Sequence, residues 1–240
     1  MSERMGLVLS GGGAKGAYQA GVFRALRDLG IDRRISVVAG TSIGALNGAL
    51  YVQDDLEQAE ALWRSIHPAM FTEIGLAKAL DEHLRPGVLA TARQSLYATC
   101  ATGFPIRKVT YFCLSGSSPL RARRILEAAA ALPVLFSPVE IDGTRYGDGG
   151  VGIGRDNVPV FPVYQRGCDT IIVIHLKRED RVDSRLYPGA RIIEVRPSEH
   201  LGSVWTGNLD YDPRHAVWRM ELGYRDAIAQ LRDLRRLAAA

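Results

Sequence analysis

The chain has 240 residues, of which 47% are hydrophobic and 23% are charged, and this balance suits one large α/β domain of a globular protein. The net charge of +4 rests mainly on scattered arginines, and because no nucleic-acid-binding module is present we predict no nucleic-acid partner. No stretch reaches the roughly 18 consecutive apolar residues of a membrane span, and no leader precedes the first strand, so we predict a cytoplasmic protein unless a dedicated secretion system exports it.

A strand, a glycine-rich loop and a helix are predicted at the start of the chain. Residues 5–9 are apolar, as in a buried strand, and residues 17–29 have the apolar spacing of a helix that ends at Gly30. The loop between them reads Ser10-Gly11-Gly12-Gly13-Ala14-Lys15-Gly16.

This loop fits a dinucleotide site only in part. Gly11, Gly13 and Gly16 match G-x-G-x-x-G, a pattern that requires an acidic residue about 20 residues further on. Residues 38–42, where the second strand ends, contain no carboxylate for a ribose. We therefore favour another hypothesis for the loop.

In that hypothesis the loop binds an anion. Consecutive glycines expose the backbone amides of Gly12, Gly13 and Ala14, so that they converge on a negatively charged atom beside the serine of the next motif. A purely structural turn does not need three glycines in a row. We interpret Lys15 as fixing the loop or covering the sheet.

A G-x-S-x-G motif follows the second predicted strand. Residues 35–39 are rich in β-branched side chains, and residues 45–51 continue as a helix. The motif Gly40-Thr41-Ser42-Ile43-Gly44 therefore has the strand–turn–helix context of a nucleophile elbow, in which Gly40 and Gly44 avoid crowding the neighbouring elements. Ser42, at the amino end of the helix, is the candidate nucleophile.

The middle of the chain, from residue 54 to about residue 99, is predicted to be helical. Asp54-Asp55 caps a helix that His67-Pro68 ends, a second helix lies near residues 76–83, and a third covers residues 87–98. We interpret this region as a cap or a flank of the sheet that contacts substrate tails.

A second functional motif follows a third strand and a helix. Residues 107–114 alternate in polarity and predict the strand, and residues 120–131 predict the helix. After a hairpin at Asp142-Gly143 the chain reads Tyr146-Gly147-Asp148-Gly149-Gly150. An aspartate between glycines is compatible with a simple turn, but Ser42 needs a base, and Asp148 is the candidate.

The remaining elements complete a single predicted domain over residues 1–240. Two further parallel strands are predicted at residues 168–176 and 190–195, and a closing helix at residues 214–237 is interrupted by Gly223. There are no internal repeats or linkers. The three cysteines have no disulfide or metal-site spacing and are predicted to be buried free thiols: Cys100, Cys113 and Cys168.

The order of these motifs resembles that of the patatin-like phospholipases. The resemblance covers nearly the whole chain, although the step from Asp148-Gly149-Gly150 to Asn157-x-Pro159 is longer than is usual in the family. The residues that carry it are 11–16, 40–47 and 148–150, with support from Pro133, Phe136, Pro138, Asn157, Pro159, Val160, Leu209, Asp210 and residues 223–227.

The resemblance implies a three-layer α/β/α fold with a mainly parallel central sheet, and a serine–aspartate dyad without a catalytic histidine. Ser42 would form an acyl-enzyme, and Asp148 would take its proton and later activate water. The implied substrate is an acyl lipid, a phospholipid or a lysophospholipid, reached by peripheral membrane contact, with no metal or cofactor. The oxyanion hole would be Gly11, Gly12, Gly13 and Ala14, and the supporting motif residues Lys15, Gly16, Gly40, Gly44, Gly149 and Gly150.

Two alternatives remain open. In an ordinary α/β-hydrolase, Ser42 and Asp148 would act with His175, His200 or His215, which follow in the chain order of such a triad. Against this, the elbow comes on the second strand and no histidine has a loop motif of its own. A lipid-binding regulatory protein with little hydrolysis is the alternative from another class, and the intact motifs argue against it.

Overall fold

The computed structural model describes residues 4–103, 105–133 and 135–238. The prediction that no leader precedes the first strand therefore concerns in part residues 1–3, which lie outside the described residues. Val134, in the connection before Asp148, also lies outside them. The strands are β1 (Met5–Leu9), β2 (Ile35–Thr41), β3 (Ser95–Thr102), β4 (Lys108–Cys113), β5 (Val139–Ile141), β6 (Thr144–Asp148), β7 (Thr170–Ile174) and β8 (Arg191–Val195). The α-helices are α1 (Ala17–Asp28), α2 (Ile43–Val52), α3 (Leu56–Arg64), α4 (Glu73–His83), α5 (Pro86–Thr91), α6 (Pro119–Ala130), α7 (Val160–Gln165) and α8 (Pro213–Ala238).

These strands form one mixed sheet in the order β5-β6-β3-β2-β1-β7-β8, with β4 also paired to β3. Strands β3, β2, β1, β7 and β8 are parallel to one another, while β4 and β6 run antiparallel to β3. The carboxyl ends of the parallel strands share one edge of the sheet, so the loops after β1, β2 and β7 meet there.

Helices cover both faces of the sheet. Along β1, Leu7 and Leu9 point into the main core, which contains residues of α1, α2, α3, α6 and α8. Val8 points to the opposite face, where it packs with Val160 and Val163 of α7. This alternation places a buried strand between two helical layers, as the predicted three-layer fold requires.

The sequence prediction was wrong for residues 95–98. Instead of ending a helix, these residues begin β3, which pairs with β2 from Val37 to Thr41, and the predicted helix stops at Thr91. Leucine and alanine are good helix formers, but Leu96 and Ala98 are buried in the sheet, where tertiary packing overrides their local preference. The predicted third strand is consequently the fourth, β4.

Smaller predictions about Gly223 and Cys113 also differ from the structure, and one helix had no prediction. Helix α8 runs through Gly223 without a break, so this glycine does not interrupt the helix. Helix α7 was not anticipated. All three cysteines are free, as predicted, but of the buried thiols that the sequence predicts only Cys100 and Cys168 are buried, while Cys113 is half-buried. Within the described residues, no helix combines the length and the apolar character that crossing a bilayer requires.

Candidate active site

Ser42 lies on a sharp turn between β2 and α2. Its backbone has φ 56° and ψ −128°, a sparsely populated conformation for a residue with a side chain. The two flanking glycines are explained by close contacts, because a Cβ atom at Gly40 would collide with the carbonyl oxygen of Gly44, and one at Gly44 with that of Leu9. The turn thus presents the partly exposed Ser42 side chain at the amino end of α2.

Asp148 ends β6 and is buried. Its Oδ1 accepts a hydrogen bond from the Gly150 amide at 2.7 Å, and its backbone amide donates to the Ala131 carbonyl at 2.8 Å. Burial raises the pKa of Asp148 to about 6, and the nearby Ser42 hydroxyl, the Gly150 amide and the charge of Arg107 act in the opposite direction. A carboxylate that is ionised above this pKa and lies beside a serine can accept that serine's proton.

The pairing of β3 explains how two distant residues meet. Strand β4 occupies one edge of β3 from Tyr97 to Thr102. The other edge is shared, because β2 pairs with it up to Thr99 and β6 pairs with it at Cys100 and Ala101. Asp148, at the end of β6, therefore lies just beyond the end of β2, where the chain turns through Ser42.

Gly149 and Gly150 allow this close approach. A Cβ atom at Gly149 would lie 2.7 Å from the Thr99 Cγ2 atom, and one at Gly150 would lie 2.9 Å from the Thr41 Cγ2 atom. Side chains at these positions would push the Asp148 loop away from the ends of β2 and β3. The structure thus gives a steric reason for each glycine that follows Asp148.

The glycine-rich loop lies next to Ser42, and its four predicted anion-binding residues differ in what their amides do. The Gly11 amide already donates to the Asn157 carbonyl at 3.2 Å, so it is not available to a ligand. Gly12 and Gly13 line the cavity, and their amides make no hydrogen bond to the residues that the structure describes. Ala14 is buried in the first turn of the 3₁₀ helix Gly13–Gly16 and does not line the cavity.

Of the two supporting residues of this loop, Gly16 contacts α2 and Lys15 is buried. A Cβ atom at Gly16 would lie 2.6 Å from Ile43 Cγ1, and Asn47 of α2 donates to the Gly16 carbonyl at 2.9 Å. Lys15 is buried, and its pKa is lowered mainly by that burial and then by the charges of Lys177 and Arg219. The prediction that Lys15 fixes the loop stays a prediction.

A cavity of about 640 Å³ opens over Ser42 and Asp148, within the range of small-molecule binding sites. Most of its apolar side chains come from α2, α4, the end of α6 and the segments before α4 and after α6, namely Ile43, Leu46, Pro68, Met70, Leu76, Ala130, Leu132, Leu135 and Phe136. Val151, Val158 and Leu209 add apolar side chains from other loops.

The three candidate triad histidines lie elsewhere. His175 is buried, and its Nε2 atom lies 2.7 Å from Glu194 Oε2 on β8. Burial lowers the pKa of His175, and the Glu194 carboxylate acts in the opposite direction. His200 accepts from the Gly202 amide, and His215 pairs with Asp210. No histidine in the described part of the chain lines the cavity.

Sequence reasoning missed two residues that hold the site together. Asn157 Nδ2 donates to the Gly11 carbonyl at 3.2 Å while its own carbonyl accepts from the Gly11 amide, which joins the glycine loop to the Asp148 loop. Arg107 donates to the Asp148 carbonyl at 2.7 Å. Asn157 was noted only as a point of family similarity, and Arg107 carried no signal beyond its strand.

Comparisons with known proteins identify the family of this chain. Residues 7–164 match the family model described as patatin-like phospholipase. The chain is 30% identical over 199 residues to lysophospholipase NTE1 of Candida glabrata, covering 74% of this chain and 11% of that protein. It is 28% identical over 197 residues to an uncharacterised NTE family protein of Mycobacterium bovis, and this match covers 77% of this chain and 52% of that protein. The chain thus spans about half or less of the length of these curated relatives.

Among solved structures, VipD from Legionella pneumophila superimposes with a TM-score of 0.56. The alignment covers 96% of this chain and 67% of VipD at 16% identity. At this identity the likeness supports the fold, and it agrees with an α/β architecture in which helices flank a mixed sheet.

Proposed function

The chain belongs to the patatin-like phospholipase family, and on that premise we propose that it hydrolyses fatty-acyl esters of phospholipids or lysophospholipids. The observation that carries the proposal is the meeting of a serine on a strained elbow with a buried aspartate, under a cavity with apolar walls. The name lysophospholipase, borne by the Candida glabrata relative, supports the same substrate class.

In the proposed acylation step, Ser42 Oγ attacks the ester carbonyl while the Asp148 carboxylate takes the hydroxyl proton. The electron pair of the carbonyl bond moves to oxygen and returns when the ester C–O bond breaks. The leaving alkoxide takes the proton from Asp148 and departs as an alcohol. The acyl group remains bound to Ser42.

Deacylation repeats the steps with water as the nucleophile. Asp148 takes a proton from water, the oxygen attacks the acyl-enzyme, and the proton passes to Ser42 Oγ as the fatty acid leaves. Each step returns Asp148 to its ionised form. This form predominates at neutral pH, because the pKa of Asp148 is about 6. This chemistry calls for no metal or cofactor.

Negative charge on the ester oxygen needs donors, and Gly12 and Gly13 are the residues that fit. Both line the cavity beside Ser42, and their amides are not engaged by the described residues. One well-placed donor of this kind typically contributes ~3 kcal/mol to transition-state stabilisation. In the proposal, Gly11 and Ala14 shape the loop instead of donating to the ester.

Peripheral contact with a lipid surface is part of the proposal. Leu135 and Leu209 line the cavity and are also exposed to solvent, and Trp205, four residues before Leu209, is 78% exposed. Such side chains suit insertion among lipid headgroups and the upper acyl region. We also propose that residues 1–240 act as one patatin-like domain.

A fluorophosphonate probe tests the proposal, because it labels only activated serines. We expect the probe to label wild type at Ser42 and not to label Ser42→Ala. We also expect wild type that has not been treated with the probe to release fatty acid from lysophosphatidylcholine. A folded wild type that neither reacts with the probe nor releases fatty acid would instead support a lipid-binding protein.

A further inference from the structure

Three cationic side chains border the cavity and have no part in the proposed ester chemistry. Arg155 lies on the loop between β6 and α7, and Lys177 and Arg181 lie on the segment that follows β7. All three are exposed. They reach the cavity because the segment after β7 leaves the same edge of the sheet as the loops that carry Gly12 and Ser42.

These cations are not neutralised by the protein. Within the described residues none of the three forms an ion pair with a carboxylate, and the Arg155 and Arg181 guanidinium groups donate only to backbone carbonyls. Besides Asp148, the one carboxylate among the described cavity residues is that of Asp180. The open part of the cavity therefore carries an excess of positive charge.

Most of the apolar side chains of the cavity come from other parts of the fold, and only Val151 and Val158 share a loop with one of the cations, Arg155. Leu46, Met70 and Phe136 pack against the main core, on the face of the sheet covered by α1, α2 and α6. The cations instead belong to the loops that follow β6 and β7. A phospholipid has the same division, with apolar chains on one side of its ester groups and a charged phosphate on the other.

We propose that Arg155, Lys177 and Arg181 bind the headgroup and select phospholipids whose headgroup has a net negative charge. The inference rests on the proposed function, since it names the preferred substrate of that same site. The phosphate of any phospholipid would meet these cations, but the quaternary ammonium of a choline headgroup would be repelled by them. A glycerol headgroup adds no positive charge and so keeps the full attraction.

The test compares dihexanoyl phosphatidylglycerol with dihexanoyl phosphatidylcholine, both presented as monomers so that adsorption to a charged surface does not contribute. Rates are expressed per active site, titrated with the fluorophosphonate probe. We expect wild-type kcat/KM to be about tenfold higher for the phosphatidylglycerol, a ratio that two or three exposed charge contacts provide together. Added sodium chloride should reduce this ratio, because salt screens exposed charges.

A triple variant, Arg155→Gln with Lys177→Gln and Arg181→Gln, should bring the ratio close to one, mainly through a higher KM for phosphatidylglycerol. The matched control replaces three exposed cations that do not line the cavity, as Lys108→Gln, Arg145→Gln and Arg166→Gln. This control removes the same charge and should keep the wild-type ratio.

The outcomes separate the two proposals. A wild type that hydrolyses both lipids with equal kcat/KM, or a cavity variant that keeps the wild-type ratio, overturns the selection of anionic headgroups and leaves the hydrolase proposal standing. A folded wild type that hydrolyses neither lipid and not even p-nitrophenyl butyrate overturns the hydrolase proposal, and this inference with it.

Discussion

At the scale of single residues, the protonation of Asp148 controls the proposed chemistry. Its carboxylate is buried, and the Ser42 hydroxyl and the Gly150 amide only partly compensate for the lost hydration. The pKa of Asp148 is therefore raised to about 6. At neutral pH the carboxylate is ionised, and it is a stronger base than an ordinary aspartate.

We predict that kcat/KM rises with pH and reaches half its plateau near pH 6, where Asp148 ionises. Below this pH the carboxyl group is protonated and cannot accept the Ser42 proton, so the logarithm of kcat/KM should fall with a slope of about one. Hydrolysis of a neutral soluble ester, measured in buffers of constant ionic strength, checks the profile. A flat profile down to about pH 4 would contradict a base whose pKa is raised to about 6.

The same pKa makes a prediction about stability. Because the folded-state pKa of Asp148 is raised from 3.8 to about 6, its contribution to stability is fully present below the unfolded-state value and is lost as pH rises through 6. Asp148→Asn removes this dependence. Its free energy of unfolding relative to wild type should therefore improve by about 2 kcal/mol between about pH 4 and about pH 8, as measured by urea unfolding. A difference that stays constant with pH would contradict the assigned pKa.

At the scale of elements, the local motifs could be predicted and the long-range pairings could not. The elbow and the glycine loop depend on contacts between residues close in sequence and on contacts with the adjoining strand. Gly40, Ser42 and Gly44 could therefore be predicted from the sequence. The first half of β3 was mistaken for helix because leucine and alanine, at Leu96 and Ala98, are good helix formers. Only its pairing with β2 makes this segment a strand.

The site shows the same division. Asp148 could be proposed from its glycines, but the reason it reaches Ser42 is that β6 and β2 share an edge of β3. Asn157 and Arg107 act through backbone carbonyls of distant residues, and hydrogen bonds of that kind leave no pattern in the sequence. The same holds for the cations of the cavity, which come from two separate loops.

The elbow glycines provide a test at this scale, with a control in the same helix. We predict that Gly44→Ala destabilises the protein by at least ~2 kcal/mol and lowers activity, because its Cβ would meet backbone carbonyls of Leu9 and Ser10. At Gly48 a Cβ would contact only the side chains of Leu96, Leu9 and Val38. Gly48→Ala should stay within ~1 kcal/mol of wild type, since alanine favours a helix. Equal urea midpoints for the two variants would contradict this explanation.

At the scale of the whole molecule, α8 closes the fold by packing tightly on α1. A Cβ atom at Gly21 of α1 would collide with the Met220 carbonyl of α8, and one at Gly223 of α8 would collide with the Tyr18 carbonyl of α1. Near this crossing, the Tyr18 hydroxyl donates to Asp226 Oδ2 at 3.0 Å. The close contact between the two helices therefore explains why a glycine stands at position 223 within α8.

We predict that Gly223→Ala forces α8 away from α1 and lowers the free energy of unfolding by roughly 2–4 kcal/mol, because backbone atoms of α1 cannot move aside independently. Gly87→Ala is the control, since a Cβ atom at Gly87 has no neighbour within 4 Å. That variant should unfold at the wild-type urea concentration or slightly above it. If Gly223→Ala were equally stable, the two helices would not be in the close contact described.

The most direct test of the dyad is hydrolysis of p-nitrophenyl butyrate and lysophosphatidylcholine by wild type, Ser42→Ala, Asp148→Ala and His175→Ala, compared per folded molecule. We expect Ser42→Ala and Asp148→Ala to lose at least about a thousandfold in kcat/KM. His175→Ala should be less stable, because it leaves Glu194 without its buried partner, and yet keep activity within about threefold of wild type. An active Asp148→Ala beside an inactive, folded His175→Ala would contradict the dyad.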